Sequence, residues 1–182
     1  MKIHLAYTAP INPADAPFKL TRAQVWEGLK IKARDPLRFV PIIERCEIVE
    51  EHATGLTRIA QFKPGTGPPG KVTEVITFGD DVHVRFRLPD LRARPQTDVW
   101  FTLQAEFQMV DVGTVISNIV SDGDGESDLY LTFNFAWNFP EVHPGSPEEK
   151  AKREQMKGSA KEAVVMSIKE VRELVQKGEI KA

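Results

Sequence analysis

Two oppositely charged side chains fall where alternation calls for apolar ones. Arg58 shares one side of an extended segment with Ala60 and Phe62, and Glu74 shares one side of the next with Val72, Ile76 and Phe78. If the loop 64–70 closes a hairpin between them in the obvious register, Glu74 stands opposite Ala60 and diagonal to Arg58, within reach of a long side chain. Facing inward, such a pair suits ligand orientation or acid–base work, since desolvation makes it a poor source of stability. Facing solvent, it is a weak surface bridge. Tyr7 and Tyr130, if inward, are further candidates for proton transfer.

The other chemistry-bearing residues form no constellation. His4, His52, His83 and His143 are scattered and there is a single cysteine, Cys46, so neither a metal site nor a cofactor is expected. Cys46 lies on a strand beside Arg45 and reads as a small buried residue more readily than as a thiolate. Asp122, Asp124, Glu126 and Asp128 begin like a calcium loop, but Ser127 stands where glycine is required and Phe133 where glutamate is, so the segment reads as a hairpin turn. Gly65–Gly70 is broken by prolines, lacks a Lys-Ser/Thr ending and precedes a strand, which excludes a phosphate loop.

The chain of 182 residues has room for one domain, 1–182, and its 41% hydrophobic and 27% charged residues are those of a globular protein. A formal net charge of -2 lacks the basic excess that nucleic acid demands. No stretch approaches the roughly 20 apolar residues of a spanning helix. Residues 1–10 alternate like a strand and lack the apolar middle of a secretory signal, so a cytoplasmic protein is expected. A homodimer is left open.

The elements that must position these residues are legible in their periodicity. Ile3, Leu5 and Tyr7 mark a first strand, closed by Pro10, Pro13 and Pro17. Thr21 stands three residues before Gln24, the spacing of a capping box, and Val25, Leu29 and Ala33 follow on one helical face, predicting a helix over 22–34. Asp35-Pro36 ends it, and Leu37, Phe39 and Val40 suggest a second short helix closed by Pro41. Period-two patterning then predicts strands over 44–51, 56–63, 71–78, 82–88, 98–109, 113–120 and 128–139, with Pro89–Gln96 as an extra loop. Ser146-Pro147-Glu148-Glu149 opens a long final helix that runs to Gln176 or Lys177 and stops at Gly178, about 45 Å in length. Its packing stripe is Val164, Ile168, Val171 and Val175, with Ala160, Ala163 and Leu174 beside it; Gly158 is a place where it could bend.

This is an α+β arrangement: a curved antiparallel sheet of about seven or eight strands gripping a long C-terminal helix, with two short helices after the first strand. One face of 128–139 carries Leu129, Leu131, Phe133, Phe135, Trp137 and Phe139; one face of 98–109 carries Val99, Phe101, Leu103, Ala105, Phe107 and Met109; and Val82, Val84, Phe86 and Leu88 share another. These faces point inward, either filling a core or lining a pocket. Trp26 has the same two readings, helix-to-sheet packing or the rim of a cavity.

The run Leu20-Thr21-Arg22-Ala23-Gln24-Val25-Trp26-Glu27-Gly28-Leu29, the stretch Pro36–Val49, Asn118–Gly123, Leu129–Phe135 and Gly145–Glu149 together resemble the START-like, pollen-allergen-type helix-grip superfamily, and within it the AtaL-like family of unknown function. The interval between Gly79 and Val110 departs from the pattern, since Pro89–Gln96 looks inserted. The resemblance implies a hydrophobic cavity between sheet and helix that holds a small apolar or aromatic molecule, with Trp26, Val84, Phe86, Phe101, Leu103, Phe107, Phe133, Phe135, Trp137, Val164 and Ile168 as candidate lining residues. Three roles follow: a binding module for such a metabolite; a cyclase- or dehydratase-like enzyme using Glu74 with Arg58; and a co-chaperone-like protein working through an exposed apolar patch.

Overall fold

A computed structural model describes residues 1–79, 103–110, 112–125 and 127–181. In chain order the elements are β1 (Lys2–Pro10), α1 (Arg22–Arg34), a 3₁₀ turn (Pro36–Arg38), β2 (Ile43–His52), β3 (Gly55–Phe62), β4 (Lys71–Gly79), β5 (Leu103–Met109), β6 (Thr114–Asp122), β7 (Leu129–Asn138) and α2 (Pro147–Gln176). The strands form one antiparallel sheet in the order β1-β7-β6-β5-β4-β3-β2, seven strands among the described residues. α2 packs on β1 and β7, and α1 lies against α2, β5 and β6. This is the α+β helix-grip arrangement, a curved sheet wrapped around the long C-terminal helix. Among the described residues, no helix is long and apolar enough to cross a membrane.

The helix ends form as their sequences require. Thr21 Oγ1 accepts the Gln24 amide at 3.2 Å while Gln24 Oε1 accepts the Thr21 amide at 2.9 Å, so both halves of the capping box are made. The second short helix shrinks to the single turn Pro36–Arg38, because a turn bounded by Pro36 and Pro41 has too few amide donors to extend. At α2, Ser146 Oγ accepts the Glu149 amide at 3.2 Å and the Glu149 carboxylate accepts the Gly145 amide at 2.6 Å. That amide, with Arg153 behind it, holds the Glu149 carboxyl below its usual range. Gly178 adopts φ +73°, a left-handed conformation that ends the helix. Across Gly158 the helix is unbroken.

Two further expectations need adjustment. The buried stripe of α2 runs through Ala160, Val164, Ser167, Val171 and Leu174, with Ile168 and Val175 only partly covered. The stripe is turned because α2 sits against both β1 and α1, and α1 approaches so closely at Gly28 that a Cβ there would lie 2.3 Å from Val171 Cγ2. Tyr130 faces solvent and Tyr7 is half-buried, so of the two tyrosines only Tyr7 touches the core. The strand over 82–88, its residues Val84 and Phe86, the loop Pro89–Gln96 and Phe101 lie outside the described residues. The Asp122–Asp128 segment is a tight hairpin turn, closed by the Asp128 amide on the Gly125 carbonyl at 2.9 Å.

Candidate functional site

The sheet's concave side converges on a polar group set in aromatic surroundings. β3 and β4 pair so that Arg58 stands directly opposite Glu74, and Ala60 opposite Val72. The register expected from the loop is therefore corrected by two residues: Glu74 faces Arg58, not Ala60. Both side chains are 3% exposed, and Arg58 Nε donates to Glu74 Oε2 at 2.6 Å, which settles the pair as inward. Arg58 Nη1 also donates to the carbonyls of Lys32 and Ala33, at 3.0 and 2.6 Å. These are among the last carbonyls of α1, which have no partner within the helix. The guanidinium thus ties the end of α1 to β3 and β4.

Lys32, at the end of the same helix, is fully enclosed. It follows Val25 by seven residues and Leu29 by three, so it lies on the apolar stripe of α1 and must point at the sheet. Its amine donates to Asn118 Oδ1 at 2.8 Å and lies 3.9 Å from the ring centre of Phe133 and 5.4 Å from that of Phe107. The Arg58 guanidinium lies 5.5 Å from the same Phe107 ring. Burial, and then the like charge of Arg58, push the Lys32 amine well below its ordinary range, with Glu74 a smaller opposing influence. Glu74 is already paired with Arg58, so among the described residues the charge of Lys32 has no dedicated counter-ion; its hydrogen-bond partner is a neutral amide.

Asn118 sits on β6 between Ile116 and Val120 on the inward face, opposite Phe133 on β7 and Ala105 on β5. It is 0% exposed, and its Nδ2 group has no hydrogen-bond partner among the described residues. A buried amide donor left unpaired costs about 1–3 kcal/mol. Ser167 Oγ on α2 is likewise fully buried without a partner. Neither Lys32 nor Asn118 is assigned a site role from the sequence, where Asn118 enters only as the start of a family stretch, although a rule applied there to Glu74, a polar residue on an apolar face, picks out both.

Of the expected lining residues, Phe107, Phe133, Phe135 and Val164 are buried in the main core, with Trp137 and Ile168 partly buried against it. Phe133 meets Phe135 edge-on at 6.2 Å, and Phe135 stacks on Trp137 at 4.2 Å. Leu103 begins β5. Trp26 is buried and packs edge-on against Phe78 of β4 at 6.0 Å, which is the helix-to-sheet reading. Two surface clefts of about 460 and 440 Å³ lie elsewhere, at the start of α2 and along β2, and neither is lined by any of these residues.

The architecture has relatives among solved structures at low sequence identity. An aromatase/cyclase from a Streptomyces species is 14% identical with a TM-score of 0.55, the alignment covering 96% of each chain. Norcoclaurine synthase from Thalictrum flavum is 11% identical with a TM-score of 0.52, covering 97% of this chain and 87% of that one. A Thermus thermophilus protein is 8% identical with a TM-score of 0.55, covering 94% and 97%. No curated protein matches the sequence. Residues 5–178 match the family described as AtaL, acetylaranotin biosynthesis cluster protein L.

Proposed function

The chain belongs to the AtaL family, and from that premise we propose that it binds a small aromatic metabolite in the interior between the sheet and α2, the ligand's polar end meeting Lys32 and Asn118. The observation that carries this reading is the unpaired Asn118 amide donor, fully buried beside the Lys32 amine and the Phe133 and Phe107 rings. Small-molecule sites combine apolar walls with a few placed polar groups, and an unused donor there is the natural partner of a ligand oxygen. The family description names a biosynthetic cluster, and the neighbours named as an aromatase/cyclase and as norcoclaurine synthase support a binding or cyclase-like role.

Glu74 with Arg58 is less suited to acid–base work than the sequence suggests. The Arg58 guanidinium is committed to Glu74 and to the end of α1, so the pair serves as a strut that holds Lys32 in place.

The test is ligand capture. Native mass spectrometry of protein purified from its source, together with tryptophan fluorescence titration against a panel of aromatic metabolites, is expected to find a ligand bearing an acceptor oxygen. Asn118→Leu should weaken its binding by roughly tenfold, the loss of one buried hydrogen bond. No ligand from source and no binding in the panel would overturn the reading.

A further inference from the structure

From the arrangement of Lys32, Asn118 and the two phenylalanine rings we infer that this site takes aromatic carbonyl compounds, aldehydes or ketones, and that the Lys32 amine condenses with them to form an imine. The inference rests on the binding reading above and adds a covalent step to it.

Three features of the geometry support it. The amine is screened from water on the inward stripe of α1, and its hydrogen-bond partner is the neutral Asn118 Oδ1 at 2.8 Å. The carboxylate that would ordinarily hold a buried lysine as an ammonium, Glu74, is taken by Arg58 at 2.6 Å. The unpaired donor, Asn118 Nδ2, belongs to the same amide that holds the amine. The Nδ2 hydrogen syn to Oδ1 points the same way as Oδ1, so a carbonyl oxygen that accepts from it stands on the Nζ side of the amide. The depressed basicity of the amine agrees with this arrangement, because only the uncharged form carries the lone pair that attacks.

The step balances without an oxidant or reductant. The Nζ lone pair attacks the carbonyl carbon, and the carbon–oxygen π pair moves to the oxygen hydrogen-bonded to Asn118. One N–H proton passes to that oxygen to give a carbinolamine. Loss of the second N–H hydrogen with the hydroxyl as water leaves the carbon–nitrogen double bond. If the imine nitrogen then takes a proton, the resulting cation lies over the face of Phe133, whose ring centre is 3.9 Å from Nζ in the free protein.

The experiment uses naphthaldehyde on the full chain at neutral pH with sodium cyanoborohydride, which delivers hydride to the imine carbon and fixes it as a secondary amine. Intact mass and peptide mapping report the site, and tryptophan quenching in the absence of borohydride reports retention. Lys32 should be labelled first, with occupancy roughly tenfold or more above any other lysine, since an ordinary exposed amine is almost wholly protonated at that pH. Lys32→Met, an apolar replacement that leaves no orphaned charge, should abolish that adduct in protein whose circular dichroism and unfolding transition remain those of a folded chain. Asn118→Leu should slow adduct formation in folded protein. Retention of naphthaldehyde with no adduct at Lys32, or labelling spread evenly over surface lysines, overturns imine formation and leaves the binding reading standing. If the aldehyde is neither retained nor attached, both fail.

Discussion

Lys32 is the residue whose environment is furthest from its ordinary one, and the sign of its effect on stability can be worked out. In the unfolded chain the amine keeps its proton to about pH 10.4, whereas in the folded chain burial and Arg58 release it at lower pH. Between the two values the unfolded state binds more protons, so folding stability rises with pH, by at most about 1.4 kcal/mol per pH unit. The groups facing the amine are Arg58, which disfavours its charge, and Glu74, which partly offsets that. Chemical denaturation from neutral pH towards pH 10 should show this rise in the native protein. Lys32→Met should flatten it and be the more stable of the two near neutrality.

The Arg58–Glu74 pair makes a second prediction at this scale. Arg58→Met leaves a buried carboxylate without a partner and two α1 carbonyls uncapped, at a cost of about 3–5 kcal/mol in urea unfolding. Adding Glu74→Leu should recover most of that loss, since an apolar pair of similar volume is often as stable as a buried ion pair. A double variant as unstable as the single one would show that the carbonyl ties, and not the stranded charge, dominate.

Two helical glycines distinguish positions that sequence treats alike. Gly158 and Gly28 both lie inside continuous helices, and glycine costs about 1 kcal/mol relative to alanine in a helix interior. Gly158 has open space where a Cβ would go, so Gly158→Ala should raise stability by about 1 kcal/mol. At Gly28 a Cβ would lie 2.3 Å from Val171 Cγ2, and overpacking of that kind typically costs about 1–3 kcal/mol. Gly28→Ala should therefore lose stability in thermal melts despite the better helix propensity, and Val171→Ala should recover part of the loss in that background. The close approach has a functional side too: it seats α1 deep enough for Lys32, one turn further on, to reach Asn118.

The buried apolar residues of both helices, β6 and β7 join Leu56, Ile76, Ala105 and Phe107 in one cluster, and a second, smaller one gathers Ile43, Ala60, Phe62, Val72 and Met109. We expect a single cooperative unfolding transition for the chain as one domain. Ligand binding should raise it, by about 2.7 kcal/mol at a free concentration one hundred times the dissociation constant. Differential scanning calorimetry with the metabolite found by capture would check both, and a ligand that binds without moving the transition would place its site outside the folded core.

The architecture was readable because it is written locally. Thr21 and Gln24, Ser146 and Glu149, and the alternation of Leu129, Leu131, Phe133 and Phe135 each act within a few residues, so α1, α2 and β7 could be bounded closely without knowing their neighbours. The same alternation put Arg58 and Glu74 on the apolar-residue side of their strands, and left open whether that side faced inward or solvent. Their register did not, because it depends on how the loop 64–70 turns, and the two-residue difference separates a diagonal pair from a direct one. The candidate site depended still more on the third dimension. Lys32 and Asn118 are 86 residues apart and each reads alone as an ordinary polar residue. Sequence by itself determined that this chain is a helix-grip protein with a charged pair shared between two adjacent strands. The tertiary structure alone decided that the pair faces inward and ties α1 to the sheet, and that, among the described residues, a lysine one helical turn beyond Gly28 lacks a counter-ion and an amide on β6 stands beside it with a donor unpaired. Hydrogen bonding and desolvation act between atoms brought together by folding, and spacing along the chain does not encode those meetings.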